Sequence, residues 1–288
     1  MTDFFEKTLS PTGMRLRGYQ HAGELIVNQV LDDYLAVPAA SHSMLSHLKR
    51  SPAHLQWALR NPTASTIAMR LGSALHACVL EGPKFLEHWV CGSELDGRSR
   101  EGKIAKAELE EQFDADKILK VADYNNVIGM AGAVFSHPIT DALITDAKIE
   151  ISAYWKDQNS SKNTKGRIDI LPPSDAQFGD VLCDLKTTTD ASPEAFAKTV
   201  ASLGYHRQAA LYLRPFENRT RFLIIAVEKT PPWAVAVYEL SPNAIARGWQ
   251  EVQKLLMLWA QCQEDYGEDL WPSYPDEIQS LDLPAWAY

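Results

Sequence analysis

The sequence predicts an α+β fold, arranged like an α/β sandwich, in which helices flank a central mixed sheet and a helical lobe precedes it. Residues 148–156, 166–171 and 180–186 carry the alternating or continuous apolar patterns of three successive strands. Short polar or proline-containing loops separate them, which favours an antiparallel meander. The remaining elements of this core follow in order: helices at 193–202 and about 205–214, strands at 221–228 and 233–240, and a long amphipathic helix at 242–265.

Helical patterns dominate the sequence ahead of these strands. Residues 41–60 predict two short helices broken at Ser51-Pro52, since proline is tolerated only at the start of a helix. Residues 66–81 predict one helix that Gly82-Pro83 ends. Residues 98–136 are mostly helical in pattern, first charged and then more apolar. This region therefore forms the expected helical lobe.

The expected domain organisation follows from these patterns. Residues 1–40 lack a strong period and are taken as an N-terminal extension, and residues 41–288 as one domain. Within that domain, 41–140 is the helical lobe and 141–265 the core. The tail, 266–288, is rich in proline and aromatic residues, and we expect it to wrap the surface.

The cysteine content, hydropathy and net charge indicate the compartment and the kind of partner that we expect for this protein. The four scattered cysteines indicate reduced thiols rather than a zinc site or a disulfide framework. No signal-peptide pattern occurs, and no apolar stretch approaches the roughly 18–20 residues that span a bilayer, so we expect a cytoplasmic protein without a membrane partner. The net charge of −9 argues against nucleic acid, unless basic residues gather locally in a groove.

Three residues in the core strands suggest chemistry. Asp184 and Lys186 lie two apart on one predicted strand and therefore share a face. A neighbouring strand can bring Asp169 beside them. Carboxylates are the oxygen ligands that Mg²⁺ prefers, the metal makes a bound water more acidic, and an ammonium offsets charge on a phosphorane. The set therefore suits metal-assisted phosphodiester cleavage, although Asp-x-Lys alone is more commonly a surface ion pair.

Several runs of sequence carry a family resemblance. The run GRIDILPP…DVLCDLKTTTDASPEAF…YHRQAALY resembles the PD-(D/E)xK nuclease core, with its restriction-endonuclease-like fold. More narrowly, the chain resembles the RecB-like branch and the exonuclease VIII (RecE) nuclease domain. The segments SHSMLSHLKRSPAHLQWAL, AMRLGSALHACVLEGPKF and WPSYPDEIQSLDLPAWA are similar to that family as well. The resemblance covers the chain from about residue 40 onward.

The resemblance assigns roles to individual positions. It implies that Asp169 is the first core acid and a metal ligand, that Asp184 is the second, and that Lys186 is the core lysine. The main-chain carbonyl of Leu185 is also expected to reach the metal. His76, in the run GSALH, matches an additional metal-binding histidine of RecB-like nucleases. Without the resemblance, His76 would be read as a histidine that caps or packs a helix.

Three further positions match family motifs around this site. Gln208 and Tyr212 match a Q-x-x-x-Y motif and, four apart on a helix, share one face. They are expected to hold a phosphate or the lysine, with core packing as the alternative. Glu150 matches a glutamate of the first core strand that holds the metal or a water. Its alternative is an exposed strand carboxylate.

The expected DNA contacts rest on charge. Basic side chains that cluster ahead of a predicted helix would meet phosphates, unless they form only a solvated helix face. They are Arg98, Arg100, Lys103 and Lys106. Thr187 and Thr188 follow the core lysine and could also contact phosphate. We expect Arg167 to point away from Asp169.

The resemblance implies a Mg²⁺-dependent 5′→3′ exonuclease that acts on duplex DNA ends and leaves 3′ single-stranded tails for recombination. Mn²⁺ is expected to substitute for Mg²⁺. A RecT-like annealing protein would be the partner, a ring-shaped homo-oligomer such as a tetramer the assembly, and a bacterium or phage the source. Lone Cys262 near the core's end argues against an iron–sulfur cluster, and no G-x-x-x-x-G-K-[ST] motif indicates ATP use. The alternatives are an endonuclease or single-strand nuclease, or a non-catalytic DNA-binding module.

Overall fold

A six-stranded mixed sheet lies at the centre of the computed structural model, which describes residues 24–61, 65–92 and 98–283. Helices flank the sheet, so the predicted fold class is confirmed. Residues 1–23 of the expected extension and 284–288 of the expected tail lie outside the described residues.

The strands are β1 (Glu24–Ile26), β2 (Val90–Cys91), β3 (Ile118–Leu119), β4 (Lys148–Lys156), β5 (Asn163–Leu171), β6 (Val181–Thr188), β7 (Arg221–Glu228) and β8 (Val235–Glu239). In the sheet they run in the order β1-β4-β5-β6-β7-β8, and β2 pairs with β3 apart from them. The predicted antiparallel meander is β4-β5-β6. β6 and β7 are parallel because two helices connect them, and β8 returns antiparallel to β7.

Eleven α-helices occur in the described part of the chain. They are α1 (Leu31–Ala36), α2 (His42–Arg50), α3 (Pro52–Arg60), α4 (Ile67–His76), α5 (Pro83–His88), α6 (Arg100–Gln112), α7 (Val121–Ser136), α8 (Pro138–Ile144), α9 (Pro193–Leu203), α10 (Tyr205–Leu213) and α11 (Pro242–Asp265). No single one is long and apolar enough to cross a membrane; α7 and α8 pass that test only together, across a 90° bend.

The helix ends follow local sequence signals. Ser51 separates α2 from α3, because its side chain accepts a hydrogen bond from the His54 N–H and Pro52 opens the new helix. The helix predicted over 66–81 is α4 followed by a π-helical turn at Ala77–Glu81. Gly82, with φ of +57°, ends it, but α5 begins at once with Pro83, which the sequence analysis did not predict.

Two apolar cores cover the two faces of the sheet. α2, α3 and α9 to α11 contribute to the first core, which includes Leu182 of β6. α4, α5, α7 and α8 contribute to the second, which includes Cys183 and Leu185. The alternation along β6 divides its side chains between these cores. The helices expected as one N-terminal lobe are thus shared between both layers.

Residues 24–40, which the sequence analysis assigned to an extension, pack on the core. β1 pairs with the edge of β4, and the Tyr154 hydroxyl donates to Gln29 Oε1 at 2.7 Å. Lys165 Nζ donates to the carbonyls of Tyr34, Leu35 and Val37 at 2.7–3.1 Å, which ties the end of α1 to β5. This segment lacks a sequence period because its contacts are long-range.

Candidate active site

The candidate site lies where β5 and β6 separate. Only Ile170 and Cys183 are register partners between these two strands in the described chain. Two side chains therefore bond the main chain of Leu185, on β6. The Leu185 N–H donates to Asp169 Oδ2 at 2.9 Å, and His76 Nε2 lies 2.7 Å from the Leu185 carbonyl oxygen. The opening thus joins α4, on one face of the sheet, to β5 and β6.

The second acid and the lysine face the opposite helical layer. Asp184, which is 1% exposed, accepts a hydrogen bond from Gln208 Nε2 at 2.7 Å and forms an ion pair with Lys186. Lys186 Nζ also lies 5.3 Å from the centre of the Tyr205 ring. The alternation of β6 therefore places Asp184 and Lys186 together, as the sequence predicts.

A separate cluster of possible metal ligands surrounds His76. His76 Nδ1 lies 3.6 Å from Glu150 Oε1 and 3.6 Å from Asp169 Oδ2. One ligand atom of each residue lies within 4.8 Å of the others. Because His76 Nε2 is engaged by the Leu185 carbonyl, Nδ1 is the nitrogen turned toward the carboxylates.

Glu150 enters this cluster through an unusual backbone conformation. Its φ of +52° lies in the left-handed region, which residues other than glycine rarely adopt. The β4–β5 register passes from Ile149 to Ile151 without Glu150, and those two isoleucines pack in opposite cores. Such strain persists only where surrounding contacts impose it, and it is typical of functional sites.

Arg167 is a site-adjacent residue that was not among the expected site residues. Its guanidinium forms an ion pair with Glu150, and Nη1 donates to the Gln29 carbonyl at 3.1 Å. Arg167 therefore reaches the cluster through Glu150, while its direction relative to Asp169 stays a prediction.

The charges in the cluster perturb one another. Burial and the neighbouring Asp184 raise the pKa of Asp169 to about 7. Burial alone would lower the pKa of His76, but Asp169 and a hydrogen bond with Glu150 raise it to about 9. Burial likewise opposes the shift at Glu150, where His76 and Arg167 lower the pKa. The crowded carboxylates therefore favour the binding of a cation between them.

The donor set fits a divalent metal ion. Carboxylate oxygens and an imidazole nitrogen suit Mg²⁺ or Mn²⁺, and a cation would relieve the repulsion that raises the pKa of Asp169. The structure groups His76 and Asp169 with Glu150. The other two expected ligands, Asp184 and the Leu185 carbonyl, are engaged by Gln208, Lys186 and His76.

Tyr212 packs against β5 close to the core acids. Its ring covers Gly166 of β5, and burial, aided by Asp184, holds the pKa of its phenol above the usual value. Gln208 reaches Asp184 from the same helix. Gln208 therefore supports Asp184, the second acid, and Tyr212 supports β5.

Replacing Gly166 with alanine is expected to destabilise the protein by about 1–3 kcal/mol. A Cβ there would lie 2.7 Å from the Tyr212 ring, so the ring or β5 must move. Thermal unfolding measures the loss. The double variant Gly166→Ala/Tyr212→Leu should recover part of it, because the smaller side chain makes room. Additive losses in the double variant would contradict this packing.

The expected DNA contacts do not join the cluster. Arg98, Arg100, Lys103 and Lys106 are exposed on or just before α6. α6 carries three basic residues and four glutamates, and Lys106 Nζ lies 3.4 Å from Glu110. The Thr188 hydroxyl donates to the Asp190 carbonyl at 3.0 Å, while Thr187 is half-buried. Their contact with DNA stays a prediction.

The sheet, its flanking helices and the Asp184–Lys186 pair beside the opening define a nuclease-like core of the restriction-endonuclease type. Residues 41–284 match the family described as "PDDEXK-like domain of unknown function (DUF3799)". The match covers most of the chain, and the protein therefore belongs to this family. It supports the PD-(D/E)xK superfamily and does not reach the exonuclease VIII branch.

A solved structure has the same fold. It is a protein from Eubacterium rectale described as a "putative exonuclease", with a TM-score of 0.59 and 13% identity over 90% of this chain and 97% of that one. At this identity the likeness shows the fold alone. No curated protein matches the chain.

Proposed function

We propose that the protein is a metal-dependent exodeoxyribonuclease that hydrolyses phosphodiester bonds in duplex DNA. The observation that carries this proposal is the cluster of His76, Glu150 and Asp169 beside the Asp184–Lys186 pair. Family membership supports a nuclease. The name of the Eubacterium rectale protein adds support for cleavage from an end.

The residues of the cluster and the neighbouring Lys186 would have different roles in cleavage. His76, Glu150 and Asp169 would hold Mg²⁺, for which Mn²⁺ substitutes, together with Asp184 or the Leu185 carbonyl. The bound metal supplies a more acidic water and neutralises charge on the phosphate. Burial opposes the charge on Lys186, but Asp184 and Asp169 hold its pKa above the usual value. The ammonium therefore stays charged and donates to a phosphate oxygen.

The finer parts of the proposal come from the family resemblance. They are 5′→3′ polarity, release of 3′ single-stranded tails, recombination with a RecT-like annealing partner, and a ring-shaped assembly such as a tetramer. A ring would gather basic residues toward enclosed DNA while the exterior stays acidic, consistent with the net charge of −9. A bacterial or phage cytoplasm suits all of these parts.

Two substrates test the mode of cleavage. Linear duplex DNA carrying a 5′ or a 3′ label, and covalently closed circular duplex, are incubated with Mg²⁺ or with a chelator. The proposal predicts Mg²⁺-dependent early release of the 5′ label and an intact circle. Cutting of the circle would support an endonuclease instead. Binding of both DNAs without cleavage would support a non-catalytic module.

Metal affinity is expected to rise with pH. In the metal-free protein, Asp169 with a pKa of about 7 and His76 with a pKa of about 9 both hold protons at pH 6. Ligation requires both to lose them, so the Kd for Mn²⁺ should fall about tenfold or more from pH 6 to pH 8. Calorimetry in buffers of different ionisation enthalpy measures the proton release. An affinity independent of pH would contradict this cluster.

The same two shifts give the metal-free fold a pH dependence. The pKa of His76 rises from 6.5 to about 9, so its stabilisation is complete below pH 6.5 and is lost through pH 9. The pKa of Asp169 rises from 3.8 to about 7, so the stability that depends on its bound proton is lost between pH 3.8 and pH 7. In chelator, Tm should therefore fall by several degrees from pH 6.5 to pH 9. His76→Gln should remove that part of the fall.

A further inference from the structure

Residues 275–283, here called the arm, expose an unusual amount of apolar surface. Every residue of the arm is exposed, and Ile278 and Leu281 are essentially fully so. The arm also carries Asp276, Glu277 and Asp282, and residues 272–283 contain no basic residue. Apolar side chains presented together on an extended segment are typical of a protein interface.

The arm leaves the protein from a fixed point. Trp271 is buried, and its N–H donates to Gln56 Oε1 at 3.1 Å. The Ala53 N–H donates to the Pro272 carbonyl at 3.0 Å, and the rings of His54 and Tyr274 lie 6.0 Å apart. The start of α3 therefore holds the root of the arm, and none of these contacts extends beyond Tyr274.

An apolar groove of about 630 Å³ opens between α9, β8 and the first turns of α11. Its size falls within the range of clefts that bind ligands. The apolar residues that line it include Phe196, Val200, Ala201, Tyr238 and Leu240. No arm residue lines this groove, so the described residues leave both apolar surfaces without a partner.

The charges on the groove complement the acidic arm. Its carboxylates are already paired: Glu239 with Arg221 at 2.6 Å, and Glu251 with Arg207 at 3.0 Å. Lys49 also lines the groove and is exposed, and among the described residues it forms no ion pair. The groove thus offers an apolar floor and an uncompensated cation to a segment that is apolar and anionic.

We propose that the arm of one copy of this chain docks in the groove of a second copy. Lys49, at the groove, precedes Ala53, at the arm root, by four residues, so they lie at most about 14 Å apart. If each copy places its arm in the groove of the next copy, these head-to-tail contacts can close a ring in which every described arm and groove is used. The inference rests on the homo-oligomer proposed above and not on its nuclease chemistry.

Sedimentation velocity on the full chain across a range of concentrations tests the contact. The arm variant is Ile278→Asp/Leu281→Asp, with Ser280→Asp as its control. The groove variant is Ala201→Glu, and Ser202→Glu, exposed on the same helix outside the groove lining, is its control. We expect the wild type to associate, each variant to raise the dissociation constant about tenfold or more, and the controls to stay near the wild type.

Mixing the arm variant with the groove variant tests exchange between copies. Each mixed pair retains one intact arm and one intact groove, so the mixture should form more complex than either variant alone. A wild type that stays monomeric would overturn both this inference and the proposed assembly. A wild-type oligomer that neither variant weakens, or a mixture that shows no recovery, would overturn the arm contact alone. Metal-dependent cleavage by the same samples reports on the nuclease proposal separately.

Discussion

Replacing Asp184 with asparagine is expected to reduce metal-dependent cleavage of linear duplex DNA by about 10²–10³-fold or more. Asparagine keeps the volume of this buried side chain and can still accept from Gln208. It removes the negative charge that pairs with Lys186 and that a metal ion would need. Rates on end-labelled DNA, together with DNA binding measured by fluorescence anisotropy, separate lost chemistry from lost binding.

The matched control is Asp180→Asn, just before β6. Its carboxylate is about half exposed and pairs with Arg221 at 3.4 Å, so its loss should leave cleavage within about twofold of the wild type. Thermal unfolding of both variants shows whether the fold survives. Unchanged cleavage by Asp184→Asn would place the active site elsewhere. An equal loss of cleavage in both variants would show that the loss is not specific to Asp184.

Replacing Lys186 with methionine is expected to lower kcat by about 10²–10³-fold while metal binding is kept or becomes tighter. Methionine retains much of the apolar stem but cannot donate to a phosphate oxygen. The Lys186 ammonium pairs with Asp184 and adds positive charge beside Asp169, so its removal strengthens the field that attracts a cation. Calorimetric titration with Mn²⁺ and single-turnover cleavage measure the two effects.

Lys198→Met is the control for this substitution, because Lys198 forms an exposed i,i+4 pair with Glu194 at 2.9 Å. Its loss should change neither cleavage nor metal affinity. If Lys186→Met bound Mn²⁺ much more weakly, the lysine would instead be holding the cluster in place. Full cleavage by that variant would remove Lys186 from the chemistry.

Local patterns were enough for most of the core. β4, β7 and α11 have the predicted bounds, because alternation and helical periodicity report which face of each element is buried. The same alternation put Asp184 and Lys186 on one face. It gives no account of Glu150, whose left-handed backbone breaks the alternation of β4. A pattern of residue types carries no signal for such a conformation.

Contacts between distant segments required the fold. His76 and Leu185 are 109 residues apart, and their 2.7 Å contact exists because α4 packs over the opening between β5 and β6. Residues 24–40 likewise show no period, since β1 is held by its pairing with β4 rather than by its own pattern. Family resemblance, not physics, drew attention to His76 in the sequence.

The sequence by itself determined the strand meander, the flanking helices and the pairing of Asp184 with Lys186, because these depend on neighbours two to four residues apart. Only the tertiary structure decided that Glu150 joins His76 and Asp169, and that Arg167 pairs with Glu150. It also left Asp184 with Gln208 and Lys186 instead of in that cluster. The physical reason is that packing between the layers fixes the position of each carboxylate. That position determines which charged groups lie next to the carboxylate.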